Sequence, residues 1–217
     1  FNGKANLSLL SAQTTLEGPF YKGAWIFSGR RTYFDLILPK ILPAETAENI
    51  PPYYFYDIQG HIFTDLTPND RISLSYYSGI DDIIFDTFGL NGRWGNNTIS
   101  AHYRRIINEK LVSNFLIANS QFFTSFGLGG SGGLISDNEI NDITVSGNFS
   151  WFASSVSTVK FGIQHKTLGF EYINKFQDST QFEIKTSPVE FATFIKLKNK
   201  FSDRLTIEPG IRLNYYN

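Results

Sequence analysis

The chain reads as all-β: an antiparallel, up-and-down transmembrane β-barrel segment of about ten long strands, with short periplasmic turns and long extracellular loops. Three observations predict this. Polarity alternates residue by residue, the alternating segments exceed ten residues, and the links between them are short and long by turns. The alternation is cleanest near the end of the chain. Leu205, Ile207, Ile211, Leu213 and Tyr215 interleave with Thr206, Glu208, Arg212 and Asn214. Successive side chains on a strand point to opposite faces, so one face is apolar and the other mostly polar.

Taken in order, the pattern predicts strands at 4–17, 24–34, 53–66, 71–82, 94–107, 111–126, 140–153, 158–176, 188–201 and 204–216. Strands of soluble domains centre on about five or six residues, whereas a membrane crossing needs about nine to eleven. Length therefore favours a membrane wall over a soluble sandwich. Short links at 18–23, 67–70, 108–110, 154–157 and 202–203 carry Gly, Pro, Asn, Asp or Ser, the residues of tight turns. Longer links fall at 35–52, 83–93, 127–139 and 177–187. Glu45 to Glu48 could form one helical turn within the first of these, and no longer helical pattern is visible. Aromatic clusters at Tyr53–Tyr56, Phe122–Phe123, Trp151–Phe152 and Tyr215–Tyr216 suit the interfacial girdles of a barrel. No composition shift marks a linker, so residues 1–217 are expected to belong to one barrel domain.

Composition removes other classes. With no Cys there is no disulfide framework, thiolate metal site or thiol nucleophile. A net charge of −1 does not suit a nucleic-acid binder that works by charge. The longest apolar runs, such as Ala24–Phe27 and Phe115–Ala118, are four residues. A transmembrane helix needs about 18. A barrel strand needs no such run, because only alternate residues meet lipid. The chain starts at Phe1, which suggests a processed chain or a piece of a longer one.

Several segments resemble the barrel domain of TonB-dependent receptors, particularly those of the Bacteroidetes type. Leu16-Glu17-Gly18-Pro19 followed by Ser28-Gly29-Arg30-Arg31-Thr32-Tyr33 is similar to that family's early barrel hairpin. Tyr54-Phe55-Tyr56-Asp57, then Asp70-Arg71-Ile72-Ser73-Leu74-Ser75-Tyr76-Tyr77 and Gly79-Ile80-Asp81, resembles the next. Trp94-Gly95-Asn96-Asn97-Thr98 looks like the start of the following strand, and Gly210-Ile211-Arg212 like a later element. The resemblance implies part of a 22-strand barrel in the bacterial outer membrane, without the plug domain that precedes such a barrel. It implies uptake of a scarce nutrient: a siderophore, a cobalamin-like compound, an oligosaccharide or a peptide. The implied partners are outer-membrane lipid, the nutrient, and the TonB complex acting through the plug. The competing expectation is a soluble or surface β-sheet ligand-binding module.

Catalytic motifs are weak by comparison. Gly127 to Gly132 fits G-x-G-x-x-G, and Gly129-Gly130-Ser131-Gly132-Gly133 fits G-x-S-x-G. Both motifs need a helix to follow, and none is patterned there. A mobile glycine-rich loop is the plainer reading, with Ser131 in a ligand loop. Asp81, Asp82 and Asp86 cluster at the start of another loop without the spacing of a calcium loop, and are read as solvated or ligand-facing. His61, His102 and His165 are isolated, so no zinc site is expected, and the receptor resemblance implies no cofactor and no catalysis. Charges that interrupt strands carry more information: Arg30, Arg104, Glu171, Glu190, Lys196, Lys198, Glu208 and Arg212. In lipid an Arg or Lys costs about 2–4 kcal/mol near the midplane, so these face a wet lumen or lie near headgroups. Arg30, Arg104, Glu208 and Arg212 are the expected lumen- or plug-facing set.

Overall fold

A computed structural model describes residues 1–47, 52–85, 89–130 and 132–217. In chain order the elements are β1 (Asn2–Leu7), β2 (Ser11–Phe20), β3 (Gly23–Thr32), α1 (Phe34–Ile41), α2 (Ala44–Ala47), β4 (Tyr53–Thr67), β5 (Asp70–Phe85), β6 (Leu90–Asn108), β7 (Leu111–Leu128), β8 (Leu134–Phe152), β9 (Ser157–Phe176), β10 (Ser179–Thr186), β11 (Val189–Lys200), β12 (Thr206–Ile207) and β13 (Gly210–Tyr216). All thirteen strands join one antiparallel sheet; β1 to β9 follow one another in sequence order, β10 and β11 both pair β9, and β12 and β13 both pair β11. β10 and β11 are two lengths of one ribbon. β11 pairs the first part of β9, β10 pairs the last part, and Ser187-Pro188 separates them.

The sheet has no dry core of its own. Among the described residues, Ala192 at 1% exposure is the one fully buried apolar side chain. A soluble sandwich would cover one face with a second layer. This sheet is instead held by its ladder, which runs through long uninterrupted registers. β7 and β8 pair from Leu111–Trp151 to Leu128–Leu134, and β8 and β9 from Phe152–Thr158 to Leu134–Phe176. The outermost strands, β1 and β13, are exposed along their whole length.

Four expectations need correction. The first predicted strand, 4–17, is broken at 8–10, where the Ser8 hydroxyl accepts from the Leu10 and Ser11 amides and closes a turn. The last is broken before Gly210, because Pro209 cannot donate to the ladder. The loop at 35–52 contains a two-turn helix, α1, with Asp35 in its first turn and Lys40 in its last, each on the favourable end of the dipole. Arg31 pairs Asp35 at 2.8 Å just ahead of it. The largest correction concerns the remaining long loops. β5 and β6 extend to Phe85 and from Leu90, β7 and β8 to Leu128 and from Leu134, so those links shrink to 86–89 and 129–133. The supposed loop at 177–187 is strand β10, entered through a two-residue turn in which Gln177 and Asp178 have φ of 50° and 58°. Two successive left-handed residues are what a tight hairpin needs to match strand twist. The long links of the sequence reading are thus mostly strand, and the connection at 33–52 alone stays long among the described residues.

The β9–β10 ribbon has a direct test. Glu171 and Lys185 are Cα partners across it. Facing pairs in antiparallel sheets lie about 4.5–5.5 Å apart, within disulfide reach. Glu171→Cys with Lys185→Cys is expected to oxidise to a cross-link that shifts gel mobility without reductant. Glu171→Cys with Thr186→Cys, which sit on opposite faces, is expected not to.

Candidate functional site

The registers sort the strand residues onto two faces. Ile99, Ala101 and Tyr103 of β6 pair Asn119, Ile117 and Phe115 of β7, which pair Ile143, Val145 and Gly147 of β8, which pair Thr167, His165 and Ile163 of β9. These lie on a first face. Towards the ends joined by the short turns 68–69, 109–110 and 153–156, that face is an apolar band. Ile99, Ile117, Ile143, Ile163 and Ile195, one from each of β6, β7, β8, β9 and β11, are 50–55% exposed. Near the turns a ring ladder crosses it. Tyr103 stacks on Phe115 at 6.4 Å, Phe115 meets Phe149 edge-on at 5.8 Å, and Phe149 stacks on Phe161 at 5.3 Å. Gly147 lies beneath this ladder, and a Cβ there would meet the Phe115 ring at 3.1 Å. Within each aromatic cluster noted in the sequence, neighbours fall on opposite faces. Trp151, Phe123 and Tyr215 lie on the first, while Phe152, Phe122 and Tyr216 lie on the second.

Over the same lengths the second face is polar and charged, and its charges pair between strands. One row past Asn97, on the loop side, Arg30 of β3 donates to Asp57 of β4 at 2.8 Å and lies over the Phe55 ring at 4.8 Å. Arg71 binds Asp65 through two bonds, at 2.6 and 2.8 Å. Arg104 is the Cα partner of Arg71, and its buried Nε has no acceptor. Lys166 pairs Asp142 at 2.5 Å. Glu208 bridges Lys196 and Lys198, the latter at 3.2 Å. Arg212 reaches Glu190 at 3.3 Å and Gln164 at 3.1 Å. Arg30, Arg104, Glu208 and Arg212 therefore share one face. Glu171, grouped with them by sequence, lies on the other, paired with Lys185 at 3.0 Å.

Towards the loop ends the two faces exchange character. From β6 to β10, beyond the pairing of Asn97 with Gln121, the first face carries seven charged side chains: Arg93, Asp137, Glu139, Glu171, Lys175, Glu183 and Lys185. Glu139 accepts from Gln121 at 2.8 Å and from Asn141 at 2.7 Å, and these bonds hold its carboxyl below the usual range. The second face there carries Trp94, Phe122, Phe126, Ile140, Phe170, Tyr172, Phe176, Phe182 and Ile184. Tyr172 packs edge-on against Phe182 at 6.0 Å. This exchange was not recognised in the sequence. Its signal is a change of phase: Phe161 and Ile163 are apolar at odd positions of β9, Leu168, Phe170 and Tyr172 at even ones.

The acidic loop cluster dissolves. Asp81 and Asp82 belong to β5 and point to opposite faces, Asp81 accepting from Tyr53 at 2.6 Å and Asp82 from Tyr54 at 3.4 Å. Asp86 and Ser131 lie outside the described residues. No group of His, Asp and Glu among the described residues is arranged to hold a metal ion.

No protein-family model matches the chain. No curated protein matches its sequence. Solved structures do match its fold. The pyoverdine-binding FpvA of P. aeruginosa aligns at a TM-score of 0.74 with 9% identity over 99% of this chain and 36% of its own. The copper transporter OprC aligns at 0.70 with 10% identity over 94% of this chain and 34% of its own. The RagAB peptide transporter aligns at 0.54 with 9% identity over 95% and 32%. These are TonB-dependent receptors, and the chain has the fold of a segment of their barrel wall. It spans about a third of the length of each.

Tyr53 offers a pH test at the loop end of β4. Burial, and then the bond to Asp81, push its phenol from 10.0 up to about 12. Because the folded-state value is raised, the stabilisation is complete below about pH 10 and is lost as pH climbs through about 12. Tyrosinate absorbance is expected to show one phenol ionising late in the native protein. In Asp81→Asn, that phenol is expected to titrate nearer its ordinary value.

Proposed function

We propose that this chain is part of the barrel wall of a TonB-dependent outer-membrane receptor that imports a scarce nutrient. The first face meets lipid along the apolar band, and the second lines the lumen. The observation that carries the reading is that band. Five isoleucines on five strands stand half-exposed in one contiguous stripe, and an exposed apolar patch of this kind marks contact with membrane or partner. Hydrocarbon supplies the apolar medium that the sheet lacks, and the continuous ladder leaves few backbone groups unpaired within it. The charges of the second face then sit in a wet lumen, where the low cost of hydrated ion pairs permits them.

On this reading the short turns are periplasmic and the opposite ends extracellular. Strands of up to 20 residues rise about 3.3 Å per residue, and tilted at about 40° they stand roughly twice as tall as the apolar band of an outer-membrane barrel. The lower half crosses the membrane and the upper half stands in water. Arg30, Arg104, Glu208 and Arg212 face a plug that fills the lumen. TonB, drawing on the inner-membrane proton gradient, would rearrange the plug to release the nutrient inward. The nutrient is of the class such receptors take: a siderophore, a cobalamin-like compound, an oligosaccharide or a peptide. The chain carries out no catalysis of its own.

The test compares adjacent residues of β7. Ile117→Arg places a charge in the lipid band and is expected to cost about 2–4 kcal/mol of folding free energy in vesicles. Ala118→Arg, facing the lumen, is expected to cost under about 1 kcal/mol, as for an exposed polar site. Refolding of the full-length receptor into liposomes under urea titration measures both. Equal costs, or a wild-type protein that fractionates as soluble without detergent, would favour the soluble β-sheet binding module instead.

A further inference from the structure

The exchange of character between the faces identifies what the upper half of the wall is built to hold. We infer that the loop-end half of the second face, from β6 to β10, binds an electrically neutral ligand with aromatic or other flat apolar groups; this rests on the reading of the second face as the lumen.

The argument begins with charge. Beyond the row in which Thr98 and Ser120 share a hydrogen bond of 2.9 Å, the second face carries no Asp, Glu, Lys or Arg among its described residues on these five strands. The first face of the same rows carries seven. Water outside and an apolar surface inside is the polarity of a ligand-holding shell rather than of a membrane wall. A charged ligand entering this surface would lose hydration and find no counter-charge on these strands. A neutral one would not.

The surface is also chemically mixed in a way that suits such a ligand. Phe122, Phe170 and Tyr172 present rings whose faces stack on flat apolar groups. Neutral hydrogen-bonding groups sit between them. Thr124, Asn138 and Tyr172 are consecutive Cα partners across β7, β8 and β9. The Ser136 hydroxyl donates to the Tyr172 hydroxyl at 3.2 Å, which leaves the Tyr172 O–H proton free to donate outward. Small uncharged donors and acceptors among rings fix orientation without selecting charge. Among the positive residues of the second face, Lys166, Lys196 and Arg212 lie nearer the turn end, below this surface, and each is paired with a carboxylate. Arg30 shares the row of Phe122 but stands four strands away on β3, where it is paired with Asp57.

The test uses two probes that share a ring and differ by one charge. N-acetyltryptophanamide is neutral and N-acetyltryptophan is anionic. Each is titrated against the full-length receptor in nanodiscs, with binding read by saturation-transfer NMR and equilibrium dialysis. The neutral probe is expected to bind at least about tenfold more tightly, a difference of about 1.4 kcal/mol. Phe122→Asp with Phe170→Asp is expected to abolish that preference, Phe122→Ala with Phe170→Ala to weaken the neutral probe alone, and Gln121→Asp on the opposite face to change neither. Equal or tighter binding of the anionic probe, no binding of either, or an effect of Gln121→Asp as large as that of the double variant would overturn the inference. Outer-membrane fractionation of the same proteins separates the two readings. A membrane-inserted receptor without the preference defeats only the neutral-ligand assignment, and a soluble protein defeats both.

Discussion

Everything in this wall depends on the backbone ladder. In a sheet with almost no buried side chains, the inter-strand N–H to O=C bonds are the interaction that every other feature must respect. Their registers run nearly unbroken, and a register fixes which residues share a face. Slipping β8 by one residue against β7 would move Ile143 and Val145 to the charged face and Thr144 and Asp142 to the apolar one. The ion pairs follow from the same constraint. Lys166 meets Asp142 and Arg212 meets Glu190 because the ladder sets them side by side, although they stand 24 and 22 positions apart in sequence.

The sequence reading was most accurate where one face stays apolar. The lower halves of β5 to β9 alternate cleanly, and their short turns carry Pro68-Asn69 and Asn108-Glu109, so strands and turn ends were legible. It failed where the apolar set changes phase. In β8, Ile143, Val145 and Phe149 occupy odd positions, but Ile140 and Leu134 occupy even ones. A fixed two-residue template loses its signal at such a crossing, which is why the upper parts of β5, β6, β8 and β10 read as loops. Gly-rich stretches at 127–133 strengthened the misreading. Helix α1 was missed for another reason: Leu36-Ile37-Leu38-Pro39 is too short and too uniformly apolar to show a helical period, and Pro39 argues against helix.

The candidate site was legible residue by residue but not as an arrangement. Charges on strands could be assigned to a polar face, and Arg30, Arg104, Glu208 and Arg212 do share one. Which charge meets which could not be read, because cross-strand partners are set by registers that local sequence underdetermines. Glu171 shows the same limit. Its charge is visible in the sequence, yet its face depends on a parity that only the pairing with Glu139 and Lys185 fixes. Asp81 and Asp82 looked like one cluster because they are adjacent, and adjacency in a strand is what separates them.

The phase change also bears on how such a wall drifts over evolutionary time. Along β9, replacements at Phe161 and Ile163 should stay greasy, while those at Glu171 and Lys175 should stay hydrophilic, although all four positions line the same side of one strand. A single strand thus lives under two opposite substitution rules, with the changeover near Thr167. Among homologues, the site where tolerated residue types reverse would trace the changeover between the two halves across the wall as a contour.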